Sequence, residues 1–293
     1  MGMNGKSRML ASQAKEILSE YKTAMTLRQI YYQLVARGII ENSSEKYGKL
    51  SRVLKLGRKD GTIGWDQIED RLRRPRSVSM WQGLDDFGKD VLRSYRLDVW
   101  RTQPKYVEVW LEKDALSGIF EDILRPYGVT LNIGRGYDGW TSIKDAAVRY
   151  IRIGKPVTMI YFGDFDPSGE DMNRSLEERL NFFNESDSFG NFELEVNKVA
   201  ILQGDIKKYD LPPALAKPGD RKTKKFAEKN GSTDTVELDA LPMDVLKARI
   251  KSGVEANLDM VALAKVKLQE SEDRDALEDM LEKFADNRDA DDE

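Results

Sequence analysis

The chain has 293 residues, a formal net charge of −4 and 33% charged residues, a composition typical of a globular protein large enough for two domains. It contains neither cysteine nor histidine, which excludes disulfides, thiolate zinc sites and catalytic sites built on a Cys nucleophile or a Ser–His–Asp triad. A metal site must therefore use oxygen ligands, which favours Mg²⁺, with Mn²⁺ as the alternative.

The first 75 residues predict three helices and a hairpin strand. Apolar residues recur at helical spacing, and Thr26 can cap the second helix. A turn at Asp60-Gly61 follows the third helix. This is the pattern of a winged helix, so we predict a DNA-binding domain over residues 1–75. The expected bounds are 9–21, 27–38 and 45–59 for the helices and 62–65 for the strand.

Cations occupy every third position of the third predicted helix. They lie opposite its apolar face and form a slanting basic stripe of Lys46, Lys49, Arg52, Lys55 and Arg58. A recognition helix presents such a stripe to a DNA groove, and the alternative is the solvated face of a core helix. The wider charge distribution favours a polyanion-binding module: residues 1–80 carry 16 Lys and Arg against 8 Asp and Glu, whereas residues 270–293 carry 3 against 12.

The remainder of the chain predicts a second domain of α/β type. Residues 76–104 read as a connector with a helix near Leu84–Tyr95. From Lys105 strands and helices alternate, which predicts a Rossmann-like parallel sheet within residues 105–260. Residues 261–293 are expected to form a C-terminal helix and an acidic tail, and residues 203–235 to be irregular. The expected strands are 106–111, 129–133, 156–162 and 192–202, and the expected helices are 115–124, 141–153, 169–183 and others within 240–285.

Three acidic residues follow two of the predicted strands. Glu112 comes directly after the strand that ends at Leu111, and Asp164 and Asp166 follow the strand that ends at Phe162. Ligands of parallel sheets bind where the strands end, and crowded carboxylates repel one another unless a cation joins them. We therefore predict a Mg²⁺ site on Glu112, Asp164 and Asp166, suited to phosphate chemistry. The alternative for Asp166 is a structural cap of the following helix.

The segments that carry these acids resemble a known domain. VEVWLEK, followed much later by MIYFGDFDPSGEDM, looks like the Toprim domain of topoisomerases, primases and related nucleases. The form DxDPxG is most similar to the A subunit of topoisomerase VI and its meiotic double-strand-break relatives, and residues 236–241 resemble a segment that follows Toprim there. The resemblance implies that Glu112 is a metal ligand or general acid/base and that Asp164 and Asp166 are metal ligands.

The same family carries its DNA-cleaving tyrosine in a winged-helix domain. The family motif, Arg-Asp-Ile-aromatic-Tyr, is similar to residues 28–32, with Gln29 in place of the usual acid. The resemblance implies that Tyr32 is the nucleophile, with Tyr31 as the substitute, and that Arg28 clamps a phosphate. It also implies a homodimer in which the tyrosine of one subunit meets the metal site of the other and makes a staggered double-strand break with 5′-phosphotyrosyl links. The spacing of Arg28 and Tyr32 places them on one side of a helix.

We therefore expect a type IIB topoisomerase A-subunit-like enzyme that acts on double-stranded DNA. Two alternatives remain: a Toprim nuclease that uses water, and a noncatalytic DNA-binding protein. The chain carries no nucleotide-binding motif, so ATP-driven strand passage would require a separate ATPase subunit of B type.

Two basic segments add possible DNA contacts. Arg135, in the glycine-rich loop 134–139, is either a DNA contact or part of a turn, and the cluster 221–229 is either a DNA contact or a solvated loop. No apolar run is long enough to span a bilayer and no signal peptide is visible. We expect a cytoplasmic, nucleoid-associated protein without a membrane partner.

Overall fold

The computed structural model describes residues 3–21, 24–68, 78–134, 139–184, 190–215 and 221–291, with side chains at all of these except 215, 221 and 284–291. The described elements are, in chain order, α1 (Gly5–Ser19), α2 (Leu27–Ala36), α3 (Ser44–Lys59), α4 (Leu84–Ser94), β1 (Tyr106–Leu111), α5 (Ser117–Leu124), β2 (Thr130–Ile133), α6 (Trp140–Ile153), β3 (Val157–Phe162), α7 (Pro167–Asn184), β4 (Leu194–Ala200), α8 (Gln203–Lys208), β5 (Ala214–Leu215), α9 (Arg221–Asn230), β6 (Asp234–Thr235), α10 (Met243–Glu255) and α11 (Met260–Asp291).

Helices α1, α2 and α3 form a three-helix unit with its own core. Thr26 caps α2 as predicted: its hydroxyl accepts the Gln29 N–H at 3.3 Å, and the Gln29 side chain accepts the Thr26 N–H at 2.6 Å. Ser43 caps α3 in the same way, by accepting the Lys46 N–H. The apolar faces of the three helices are fully buried at Ala11, Ala14, Ile17, Ile30, Leu34 and Leu50.

The predicted strand at 62–65 is wrong. Residues 65–67 form a 3-10 turn instead, because the Gln67 side chain accepts the Gly64 N–H at 2.9 Å and draws the chain into a tight loop. The only sheet-like pairing described in this segment is a single parallel bridge from Met25 to Ile68. The described part of the unit therefore contains three helices, and the predicted strand of the expected winged helix is absent from it.

The sheet has the predicted parallel topology. Its four strands are ordered β2-β1-β3-β4, and helices flank it, which makes the fold a mixed α/β fold of Rossmann-like type. The two central strands, β1 and β3, are buried at every residue, as expected for strands covered on both faces. Helices α5 and α10 cover one face, and α6 and α7 cover the other.

The segment between β4 and α10 is more ordered than its composition predicts. It contains α8, α9 and a small antiparallel pair of β5 and β6, so the expectation of an irregular segment at 203–235 is wrong for its described part. Phe165 pairs with Val236 by two backbone hydrogen bonds of 2.8 and 2.9 Å. This bridge brings residues 236–241 back against the loop that follows β3.

Two further contacts fix how the parts of the chain meet. Helix α2 packs on the 3-10 turn Leu238–Ala240, which joins the three-helix unit to the sheet domain (β1 to α10). Helix α11 packs on α4, where the Tyr95 hydroxyl donates to Asp273 at 2.6 Å. Within the described residues, no helix has both the length and the apolar character needed to cross a membrane.

Candidate active site

Glu112 and Asp164 lie together at the carboxyl edge of the sheet, where β1 and β3 end side by side. Leu111 is in register with Phe162, and each acid follows within two residues. The Asp164 N–H donates to Oε2 of Glu112 at 2.9 Å. The parallel strands thus bring two of the three predicted acids into direct contact, as the sequence predicts.

Two glycines leave the space that the Glu112 carboxylate occupies. A Cβ on Gly163 would lie 2.7 Å from Glu112 Oε2 and 2.6 Å from the Tyr161 ring. A Cβ on Gly169 would lie 2.6 Å from the Asp164 carbonyl oxygen and 3.3 Å from Glu112 Oε2. Neither glycine has an unusual backbone angle, so both positions require glycine for space rather than for conformation. The sequence GDFDPSG therefore shapes a cavity around the acids as well as supplying them.

Asp164 is almost fully buried and strongly bound. Its Oδ1 accepts the Leu238 N–H at 2.7 Å and lies 2.9 Å from the Lys113 ammonium. Burial raises the pKa of Asp164 above its ordinary value, although the positive charge of Lys113 opposes the change. The Lys198 ammonium donates to the main-chain carbonyl of Asp164 at 3.0 Å, which fixes the backbone of the loop.

Asp166 serves as the cap of α7. Its Oδ1 accepts the Gly169 N–H at 2.6 Å, three residues along the chain, in the first turn of the helix. The alternative role predicted for Asp166, a structural cap of the following helix, is therefore the one that the structure shows. A carboxylate that caps a helix through one oxygen can still bind a cation through the other.

The three acids suit a Mg²⁺ ion in their chemistry. Among the described residues, no group of three or more acidic side chains converges closely enough to hold one ion as the side chains stand. Each acid nevertheless uses a single oxygen for the contacts above. Burial raises the pKa of Glu112 to about 7, and the negative charge of Asp164 adds to the effect. A hard divalent cation at these oxygens would relieve the repulsion between the carboxylates, so the three acids form a donor set that fits Mg²⁺.

Lys113 is a site residue that the sequence interpretation did not single out. Its ammonium is buried and lies 2.7 Å from Glu237, 3.1 Å from Asp239 and 2.9 Å from Asp164. Burial lowers its pKa, but these three carboxylates outweigh the effect and raise it overall. The sequence signal that could have identified it is a lysine next to Glu112 in the segment that resembles Toprim. Glu237 and Asp239 lie in the second resembling segment, residues 236–241.

Tyr32 reaches the same site from the three-helix unit. Its ring centre lies 5.6 Å from the Lys113 ammonium and 5.4 Å from the Arg28 guanidinium. Arg28 in turn binds Glu237 at 2.8 Å and Asp239 at 3.2 Å. Burial raises the pKa of the Tyr32 phenol well above its ordinary value, and the Glu237 carboxylate raises it further by accepting a hydrogen bond from the phenol. Arg28, Tyr32 and the sheet-edge acids are thus neighbours in a single chain.

Tyr31 is bound within its own unit instead. Its hydroxyl accepts the Ser43 N–H at 2.7 Å and donates to Asn42 at 3.0 Å, so it fixes the turn between α2 and α3. Its ring packs edge-on against Tyr47. Of the two adjacent tyrosines, Tyr32 is the one whose ring lies against Arg28 and Lys113.

The predicted basic stripe is divided by the structure. Arg52 and Lys55 are exposed, and Lys46 and Lys49 line a cleft of about 580 Å³ beside α1. Arg58 does not face outward with them: it donates to the carbonyls of Trp65 and Ile68, both at 3.2 Å, and stacks 4.5 Å over the Trp65 ring. Arg58 therefore holds the turn after α3. Arg135 lies outside the described residues.

No protein-family model matches this chain, and no curated protein sequence matches it.

Proposed function

We propose that this protein cleaves duplex DNA by transesterification, as the A subunit of a type IIB topoisomerase does, with Tyr32 as the nucleophile. The observation that carries the proposal is the meeting of Tyr32 with two cations and a buried carboxylate site. Lys113 contacts both the Tyr32 ring and the Asp164 carboxylate. A tyrosine, an Arg, a Lys and an oxygen-ligand metal site in one place suit attack on a phosphodiester.

Each residue has a role that follows from its position. Arg28 and Lys113 bind the anionic oxygens of the scissile phosphate and stabilise the charge that builds up during the attack. The Tyr32 oxygen forms a bond to phosphorus, the bond from phosphorus to the 3′ oxygen breaks, and the phenol loses a proton while the 3′ oxygen gains one. The products are a 5′-phosphotyrosyl link and a free 3′ hydroxyl.

Glu112, Asp164 and Asp166 would hold a Mg²⁺ ion, with Mn²⁺ as a substitute. When bound, the ion supplies Lewis-acid stabilisation of phosphate oxygens and orients the DNA backbone. Asp164 is fixed by Leu238 and by Lys113, and Glu112 is fixed by the Asp164 N–H. These contacts hold the acids in place before DNA arrives.

Duplex DNA is the proposed partner, and cations on both the three-helix unit and the sheet domain would hold it. Arg52 and Lys55 are exposed on α3, and Lys224 and Lys225 are exposed on α9. Helix α9 lies beside the loop that carries Asp164 and Asp166, because the ring centres of Phe226 and Phe165 are 5.0 Å apart. Contacts of this kind position the backbone and make binding sensitive to salt. A staggered double-strand break needs two such sites, so we propose a homodimer on DNA.

Covalent trapping on supercoiled plasmid tests the proposal. With Mg²⁺, the wild type is expected to leave protein attached to cut DNA until protease is added, and Tyr32→Phe is expected to leave none. Tyr127→Phe is the matched control, because the Tyr127 hydroxyl also donates to a glutamate, Glu255, at 2.6 Å and lies away from the site. Attached protein with Tyr32→Phe, or cut DNA without attached protein from the wild type, would refute tyrosine cleavage.

One observation favours a second function, a nuclease that uses water. The raised pKa of Tyr32 makes the phenolate harder to form, whereas Glu112 has a pKa of about 7 and suits a general base. This nuclease would cut plasmid with no protein attached, and Tyr32→Phe would keep its activity while Asp164→Asn would lose it. The same plasmid experiment separates the two functions.

A further inference from the structure

One carboxylate oxygen receives both cations of the site. Oε2 of Glu237 lies 2.8 Å from Nη2 of Arg28 and 2.7 Å from Nζ of Lys113. The Tyr32 phenol lies beside the same carboxylate, whose negative charge helps to raise the pKa of the phenol. An anionic oxygen surrounded by an Arg, a Lys and a phenol is the environment that a backbone phosphate oxygen requires.

Glu237 and Asp239, which both bind this cation pair, differ in their exposure to solvent. The Asp239 side chain is completely buried and binds Nε of Arg28 at 3.2 Å and the Lys113 ammonium at 3.1 Å. The Glu237 side chain is 38% exposed and stands at the solvent side of the pair. Asp239 can therefore hold the cations in place while Glu237 leaves, because only Glu237 has solvent to move into.

We propose that Arg28 and Lys113 form a pocket for a backbone phosphate of DNA, and that Glu237 is a removable cap that fills the pocket until the phosphate displaces it. The assignment of this pocket to the scissile phosphate rests on the proposed function, but phosphate binding itself requires no cleavage. Tyr32 is only 8% exposed, so displacement of Glu237 also opens the approach to its hydroxyl.

Charge explains why the cap must move. Arg28 and Lys113 already face Asp164, Asp239 and Glu237, so the pocket holds two positive and three negative groups. A phosphate added without release of Glu237 would meet a like charge at contact distance. Exchange of the carboxylate for the phosphate leaves the total charge of the pocket unchanged.

Binding of a short fluorescent DNA duplex in EDTA, where no cleavage occurs, tests the cap. Glu237→Gln is expected to bind about tenfold more tightly than the wild type, because a repulsive like charge is removed. Glu255→Gln is the matched control: its carboxylate also accepts a tyrosine hydroxyl, and it changes the net charge equally. If Glu237→Gln binds no more tightly than Glu255→Gln, the cap does not exist.

Two more variants complete the test. In an Arg28→Gln background, Glu237→Gln is expected to give no tightening, since half of the phosphate pocket is gone; persistent tightening would mean that the gain arises elsewhere. Glu237→Asp keeps the charge but withdraws it by one methylene, and a gain of about threefold is expected even if Glu237→Gln fails to fold. No gain with the aspartate in that case would overturn the cap. Tighter binding without plasmid cleavage would retain the pocket and refute only the proposed function.

Discussion

The Lys113 ammonium lies 2.9 Å from the Asp164 carboxylate, and this ion pair joins the residues that follow β1 and β3 at the sheet edge. Lys113 also faces the Tyr32 ring and binds the two acids that hold Arg28. A single buried lysine therefore sets the distance between the proposed nucleophile and the proposed metal ligands.

Replacement of Lys113 by methionine is expected to destabilise the protein severely. The substitution leaves the buried carboxylates of Asp164 and Asp239 without their shared cation, and loss of one partner of a buried ion pair costs about 3–5 kcal/mol. Urea unfolding measures the change. Lys251→Met is the control, because its pair with Glu255 is exposed on α10 and such pairs contribute less than about 1 kcal/mol. A similar small loss from both variants would show that Lys113 is not a buried link.

Replacement of Gly163 by alanine is expected to disturb the acids directly. The new Cβ would lie 2.6 Å from the Tyr161 ring and 2.7 Å from Glu112, and such overpacking costs about 1–3 kcal/mol. Thermal unfolding and DNA cleavage are both expected to suffer. Gly48→Ala on α3 is the control: its Cβ would meet nothing within 4 Å, and alanine in a helix is favoured by about 0.5–1 kcal/mol. Equal stability of the two variants would contradict the crowded loop.

The acid pair could be predicted from the sequence because its geometry follows from local rules. Strands β1 and β3 are unambiguous apolar runs, and the ends of parallel strands meet at one edge, so Glu112 and Asp164 had to lie close together. The capping of α2 by Thr26 is equally local. In both cases a few neighbouring residues decide the structure.

The rest of the site depends on contacts between distant residues. Lys113 meets Glu237 and Asp239 across 124 and 126 residues, and this pairing exists because the Phe165–Val236 bridge returns the chain to the sheet edge. The periodicity of apolar residues does not predict that this distant segment comes back to the sheet edge. The prediction that Arg58 belongs to the outward-facing basic stripe is wrong for a different reason. The stripe follows helical spacing, but the turn at Trp65 binds the Arg58 side chain and draws it away from the other cations.

The contribution of Glu237 to stability is expected to disappear in acid. Burial raises the pKa of Glu237, but Lys113, with help from Tyr32 and Arg28, outweighs burial and lowers the pKa from 4.5 to about 2. An acid whose pKa is lowered by folding stabilises the protein fully above its unfolded pKa and loses that effect as the pH falls toward the folded pKa. The stability difference between wild type and Glu237→Gln should therefore be constant from pH 7 to about 5 and shrink below 4.5. Urea midpoints measured between pH 3 and 7 check this, and a difference that grows in acid would contradict it.

Magnesium is expected to raise the melting temperature of the protein. An ion that binds only the folded chain stabilises it by about 2.7 kcal/mol at a hundred times its dissociation constant. Asp164→Asn should abolish the shift, because it removes the charge of a proposed metal ligand whose carboxylate Leu238 and Lys113 already hold in place. Asp145→Asn, an exposed position on α6, should retain it. A shift that survives Asp164→Asn would place the ion elsewhere.

The contact of Tyr32 with the acids of its own chain predicts that cleavage does not require a site shared between subunits. Tyr32→Phe and Asp164→Asn each damage one part of the site, so a mixed dimer with the site within one chain has no intact site. A site shared between subunits, as the family resemblance implies, would leave one intact site in each mixed dimer and produce a covalent nick.

Co-expression of the two variants with different tags, followed by purification through both tags, isolates the mixed species. We expect no covalent nick on supercoiled plasmid above the level of either variant alone, because Glu237 binds Arg28 and Lys113 faces the Tyr32 ring within one chain. Recovery of nicking by the mixed dimer, with the wild type active in parallel, would show that the tyrosine acts on the partner's metal site.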